Sequence, residues 1–208
     1  MFKLRGKSID FISSVSRLKN IPRSGWLSHG VAFADVESVA EHSYSTSALA
    51  MLLADIESRK GRRISIERVL RLALLHDLAE ALTFDISKSY LEYLGKRGEA
   101  IKHQVERAAW SHIATGLQNA SMRVKYTQLQ SEFDAERTLE SQIVHAADKL
   151  DILFQIVQYH RKGYPKATLI DLWTSTNRSL MRVRLSSVRE MRRTAVQLYN
   201  VTVSQHSK

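Results

Sequence analysis

The chain has 208 residues, 44% hydrophobic and 25% charged, which excludes disordered and fibrous classes and predicts a single domain over 1–208. With only 8 Gly and 2 Pro it has too few turn formers for a sandwich or barrel, and with no Cys it has no disulfide, thiolate metal site or cysteine nucleophile. An excess of 31 Lys and Arg over 21 Asp and Glu gives +10, which favours anionic partners (nucleotides, other phosphorylated small molecules, nucleic acid) without choosing among them.

Apolar periodicity predicts an all-α fold. A first amphipathic helix spans 8–19, with Ile9, Ile12, Val15 and Leu18 toward a core. From Asn20 to Glu37 the pattern breaks at Pro22, Gly25 and Gly30, which reads as a long ordered loop. Ser38-Val39-Ala40-Glu41 fits a capping box, so a helix starts there and runs to about Glu57. Ser65 caps the next helix, whose Val69, Leu70, Leu72, Ala73, Leu74 and Leu75 are apolar nearly all round, as expected of a central helix. A polar segment near Ser87 to Ser89 precedes a helix from about Gly98 to Thr115 and a shorter one near Met122 to Gln130. Ala135 to Arg161 reads as one long helix stopped by Gly163 and Pro165, and two further helices cover about 168–182 and 186–202. No uncharged run reaches membrane-spanning length, and the basic start (Lys3, Arg5, Lys7) lacks a signal peptide's apolar region and cleavage site. A cytoplasmic location without a membrane partner is expected.

The segment that carries chemistry is Leu74-Leu75-His76-Asp77-Leu78-Ala79-Glu80, followed by Asp85. A His and an Asp adjacent in the most apolar helix are costly to bury without hydrogen bonds or a cation, and a metal ion supplies that partner. Helical spacing places Glu80 one turn beyond His76 on the same face, with Asp77 rotated about 100° away. His42, in the first turn of its helix, and Asp148, on the apolar face of the long helix, are isolated in similar surroundings. Two imidazoles and two carboxylates form a mixed nitrogen and oxygen set suited to one divalent transition metal (Mn, Co, Fe, Ni or Zn) rather than to Ca or Mg.

The order His42, His76-Asp77, Asp148 resembles the His...His-Asp...Asp signature of the HD-domain metal-dependent phosphohydrolases. The wider context, Arg23-Ser24-Gly25-Trp26, Glu37-Ser38-Val39-Ala40-Glu41-His42, His76-Asp77-Leu78-Ala79-Glu80 with Asp85, and Ala147-Asp148-Lys149-Leu150, resembles the YfbR-like 5'-deoxynucleotidases over about 17–160. That resemblance implies an all-helical HD bundle hydrolysing deoxyribonucleoside 5'-monophosphates to nucleoside and phosphate, and a homo-oligomer, a dimer in the family. It implies that His42, His76, Asp77 and Asp148 are metal ligands, that Glu80 is the catalytic carboxylate, that Asp85 lies at the deoxyribose, and that Arg23 and Trp26 contact the nucleotide. Two departures bear on the substrate loop: Phe84 stands where relatives have Gly, and Ser87 where they have Pro.

Ordinary structural readings stand beside these. Trp26 is either a nucleotide contact or a plug in the bundle. Arg17 is a second candidate for the phosphate, or a surface residue. His103 and His112, nine positions apart, point to opposite sides of a straight helix and read as surface or packing residues. Arg178, Arg182, Arg184, Arg189, Arg192 and Arg193 make a basic C-terminal surface. Two other functions are compatible: an HD phosphohydrolase acting on cyclic nucleotides, triphosphates or alarmones, or a basic helical nucleic-acid-binding protein with a structural metal.

Overall fold

In the computed structural model, residues 6–117 and 119–205 are described, and these are helical apart from connecting turns, with two 3₁₀ turns and one isolated bridge between Pro22 and Ser38. The all-α expectation holds. Contacts group the chain into two compact units, 1–43 with 74–135, and 44–73 with 136–208. No helix among the described residues is long and apolar enough to cross a membrane.

The first unit contains α1 (Gly6–Arg17), α2 (Ser24–Ser28), the first turn of α3 (Val39–Arg59), the end of α4 (Ile66–Leu75), α5 (Glu80–Thr83), α6 (Lys88–Glu92), α7 (Gly98–Thr115) and α8 (Ala120–Ala135). Its core joins Leu18, Ile21, Val39, Leu78, Trp110 and Ile113. The expected inward face of α1 is corrected: Ile12 and Val15 are exposed, Leu18 and Ser14 are buried, and the side chain of Ile9 lies outside the described residues. Phe11 sets this rotation. Its ring meets Tyr126 edge-on at 5.9 Å, and the larger aromatic anchor outweighs two β-branched side chains.

The loop read over 20–37 contains α2 and is closed at its neck. The Val39 N–H donates to the Ile21 carbonyl at 2.8 Å and the Arg23 N–H to the Glu37 carbonyl at 3.0 Å. The capping box forms as expected, the Glu41 N–H donating to Ser38 Oγ at 3.2 Å and the Ser38 N–H to Glu41 Oε2 at 2.7 Å. Arg23 is thereby fixed beside the start of α3, whose first turn carries His42. The polar segment near 87–89 instead begins the short helix α6. The next helix begins at Gly98 as read, and glycine is required there because a Cβ would overlap the Leu91 carbonyl oxygen.

The second unit holds the rest of α3, most of α4, α9 (Leu139–Arg161), α10 (Lys166–Met181) and α11 (Ser186–Gln205). Helices α10 and α11 both pack on α9, whose Ile143, Val144, Leu150, Leu153 and Ile156 are fully buried. Trp173 stacks on Tyr199 at 3.8 Å. The long helix starts at Leu139 rather than Ala135: Glu136 adopts φ 54°, and the Thr138 hydroxyl caps by accepting from the Ser141 N–H at 3.2 Å. Helix α4 is one-sided rather than apolar all round, for Val69, Leu72 and Ala73 are buried while Leu74 is exposed.

Glu57, at the end of α3, is only 1% exposed and serves as an N-terminal anion for α11. Its Oε1 accepts from the Ser187 N–H at 2.8 Å and from Ser186 Oγ at 3.0 Å, while Arg62 Nε lies 2.9 Å from Oε2. Burial pushes this carboxyl up, but the Ser187 and Ser186 hydrogen bonds and Lys60 outweigh it, so its pKa is held below the ordinary value. A depressed carboxyl contributes stability that is present above its unfolded pKa and is lost as pH falls through the folded one. Glu57→Gln should therefore cost about 1–3 kcal/mol at pH 7. The gap between the two melting curves should close as the pH falls through and below the ordinary glutamate range; a gap independent of pH would show that the charge contributes nothing.

Candidate metal centre

Helix α4 ends at Leu75, and His76 to Ala79 pass through tight turns before α5. The Leu78, Glu80 and Ala81 N–H groups donate three residues back, to Leu75, Asp77 and Leu78 carbonyls at 3.1, 3.0 and 3.2 Å. This corrects the expectation of a continuous helix with His76 and Glu80 on one face. At three residues per turn, positions i and i+3 eclipse, so Asp77 and Glu80 share a face instead. No Gly or Pro marks the break, so local sequence carries no signal for it.

Three basic groups converge on one carboxylate oxygen. Asp77 Oδ2 lies 3.0 Å from Arg23 Nη1, 3.1 Å from His76 Nε2 and 3.7 Å from His42 Nε2. The two imidazole rings are 5.5 Å apart, His42 is fully buried and His76 nearly so. Burial pushes the Asp77 carboxyl up, but His76, Arg23 and His42 together hold it far below the ordinary range, so it is ionised. Two buried imidazole nitrogens facing an ionised carboxylate oxygen are a donor set that fits a divalent transition-metal ion.

Glu80, 3% exposed, has the opposite environment. Burial and the neighbouring Asp77 charge raise its pKa well above the ordinary value, with Arg23 opposing. Among the described residues its Oε2 has no hydrogen-bond partner, and it lies 3.8 Å from Arg23 Nη1. Two carboxylates in one pocket, one held ionised and one pushed toward the neutral acid, provide a fixed anion beside a group that can take up and release a proton.

Asp85 follows α5, as the sequence indicated. Its Oδ2 accepts from the Ser24 N–H at 2.6 Å, and its Oδ1 is 3.9 Å from Arg23 Nη1, which ties the loop after α5 to the Arg23 neck. The Ser87 hydroxyl lies 3.2 Å from that of Ser28. Phe84 keeps a backbone that suits glycine, with φ 60° and ψ 166°, and its side chain is exposed. For a non-glycine residue this conformation costs on the order of 1–3 kcal/mol. Phe84→Gly should accordingly raise stability by about 1 kcal/mol after glycine's own entropic cost, read as a higher Tm; a lower Tm would mean that the Phe84 ring is held by contacts worth more than the strain.

The remaining candidates are placed as follows. Trp26 is 3% exposed and its indole N–H donates to Glu37 Oε1 at 2.8 Å, the geometry of a packing residue. Arg17 is exposed on α1, and His103 and His112 are exposed on α7. Asp148 is half-buried on α9 in the second unit. Sequence reasoning passed over Lys102, whose Nζ is 3.5 Å from Glu106 Oε1 and which is close enough to Glu80, Asp77 and Asp85 for their charges to raise its pKa against the effect of burial. A Lys four residues before a Glu on a helix is an ordinary surface pair, so nothing in the sequence set it apart.

An all-helical chain with a buried His and a His-Asp pair facing a second carboxylate is the pattern of the HD domain, and the profile of that family matches residues 15–187. The chain belongs to the HD-domain family. Its relatives include the 5'-deoxynucleotidase HDDC2 of Danio rerio, 31% identical over 81% of this chain and 77% of that protein, and the 5'-deoxynucleotidase hdd1 of Schizosaccharomyces pombe, 32% identical over 74% and 73%. Among solved structures, the PH0347 protein of Pyrococcus horikoshii is 30% identical with a TM-score of 0.75, covering 91% of this chain and 99% of that one. An HD-domain phosphohydrolase from Listeria innocua, 22% identical over 94% of this chain and 91% of that one, shares the fold with a TM-score of 0.78.

Proposed function

We propose that this protein is a metal-dependent 5'-deoxynucleotidase that hydrolyses deoxyribonucleoside 5'-monophosphates to deoxyribonucleoside and phosphate. The observation that carries the reading is the convergence of Arg23, His42 and His76 on Asp77 Oδ2 with Glu80 on the same face. His42, His76 and Asp77 would hold the ion, and the motif assigns Asp148 as the fourth ligand. A divalent ion bound there, one of Mn, Co, Fe, Ni or Zn, supplies Lewis acidity and lowers the pKa of a coordinated water.

The chain's own groups do the rest. Arg23 presents a planar two-donor fork to the phosphate, from a position already at the carboxylate pair. Lys102 adds a second positive charge near the Glu80, Asp77 and Asp85 carboxylates. Glu80 takes a proton from the attacking water at Oε2 and returns it to the leaving 5'-oxygen, a role its raised pKa suits. Asp85, anchored through Oδ2 by the Ser24 amide, offers Oδ1 to the 3'-hydroxyl and leaves a 2'-hydroxyl to clash or lose its hydrogen bonds.

That loss costs about 1–3 kcal/mol, so kcat/KM for dAMP should exceed that for AMP by roughly tenfold or more. Phosphate release from dAMP, AMP, dATP and cyclic AMP tests the reading, and Asp85→Ala should narrow the dAMP to AMP ratio. Equal wild-type rates on dAMP and AMP would overturn the deoxyribose assignment, and faster turnover of dATP or cyclic AMP would favour the other phosphohydrolase classes.

A further inference from the structure

The second unit contains a concavity of about 450 Å³ that the proposed reaction does not use. It is bounded by Arg62 after α3, by the first half of α9, and by the 182–185 loop between α10 and α11. Four cations line it: Arg62, Lys149, Arg182 and Arg184. Glu136 is the one acid among the lining residues, and it faces His145, whose Nδ1 lies 3.5 Å from its Oε1. Arg62 is held by Glu57 at 2.9 Å, which fixes its guanidinium at the rim, whereas Lys149, Arg182 and Arg184 have no carboxylate partner among the described residues. With Arg62 compensated by Glu57, three like charges stand against one acid, a surplus of two that favours entry of an anion.

The size and shape of the anion follow from the lining. A single phosphate group carries about two negative charges, which matches a surplus of two. The volume lies within the roughly 300–1,000 Å³ typical of small-ligand sites. Leu139, Val183 and Leu185 supply an apolar wall beside the cations. Among the described residues no aromatic side chain lines the concavity for base stacking, which argues against a nucleic-acid strand. We propose that this concavity binds the phosphate group of a phosphorylated small molecule, with Arg182, Arg184 and Lys149 as its principal contacts.

Two sources share this chemistry, a nucleotide and free inorganic phosphate, and calorimetry with ATP and with inorganic phosphate on the full-length protein separates them. Tighter binding of ATP assigns the apolar wall to the nucleoside; equal binding assigns the site to phosphate alone, and either supports the proposal. R182A/R184A should weaken both ligands at least tenfold, and R182K/R184K should recover part of the loss. The rate of phosphate release from dAMP should be unchanged, so failure here is distinct from failure of the 5'-deoxynucleotidase reading. Should R182A/R184A unfold, Lys149→Gln with an unchanged melting curve should show the same direction of loss. Wild-type affinity in R182A/R184A, or binding abolished by His76→Ala and untouched by R182A/R184A, would overturn the proposal. Tighter binding of a single-stranded oligonucleotide that depends on the same arginines would replace it with a nucleic-acid surface.

Discussion

Glu80→Gln is expected to lower kcat on dAMP by roughly 10²–10⁴-fold, the usual contribution of a positioned proton-transfer group, while leaving bound metal and folding intact. The amide keeps the shape of the side chain but cannot accept a proton. Glu80 is pushed up by burial and by the Asp77 charge, so its ionised form is the costly one; a neutral amide removes that repulsion. The melting temperature should thus stay level or rise as activity collapses. That split separates a proton-transfer role from a structural one, since a merely structural carboxylate would lose stability first. Elemental analysis, a thermal melt and dAMP turnover on one preparation suffice. Wild-type turnover would remove Glu80 from the chemistry.

Removal of the metal should have the second large effect. His42→Ala, His76→Ala, Asp77→Ala and Asp148→Ala should each release the ion and bring turnover to background, because Lewis acidity and water activation are lost together. Stability should fall as well. An ion present at about a hundred times its Kd stabilises the folded state by about 2.7 kcal/mol, so chelator should lower the wild-type Tm and have little effect on these variants. His103→Ala and His112→Ala, exposed on α7, should keep full occupancy. Normal metal content in all four ligand variants would sink the site, whereas loss in only three would single out the residue wrongly included.

Much of this was open to the sequence because the features concerned are local. The capping box at Ser38 and Glu41 needs four consecutive residues and forms as read. The start of α7 at Gly98 and the stop of α9 before Gly163 rest on residue type and periodicity alone. The order of His42, His76-Asp77 and Asp148 pointed to the family before any coordinate, since few folds leave isolated His and Asp residues in apolar helices at those positions. The rest depended on contacts between residues far apart in the chain. The rotation of α1 is set by Phe11 against Tyr126, and the position of Arg23 by amides paired across 20–39. The proximity of Lys102 depends on where α7 lies in the first unit. Most of all, the tightening after Leu75, which moves Glu80 from His76's face to that of Asp77, has no local marker. Helical periodicity assumes 100° per residue; only the hydrogen bonds of the folded chain decide that these residues turn by about 120° instead.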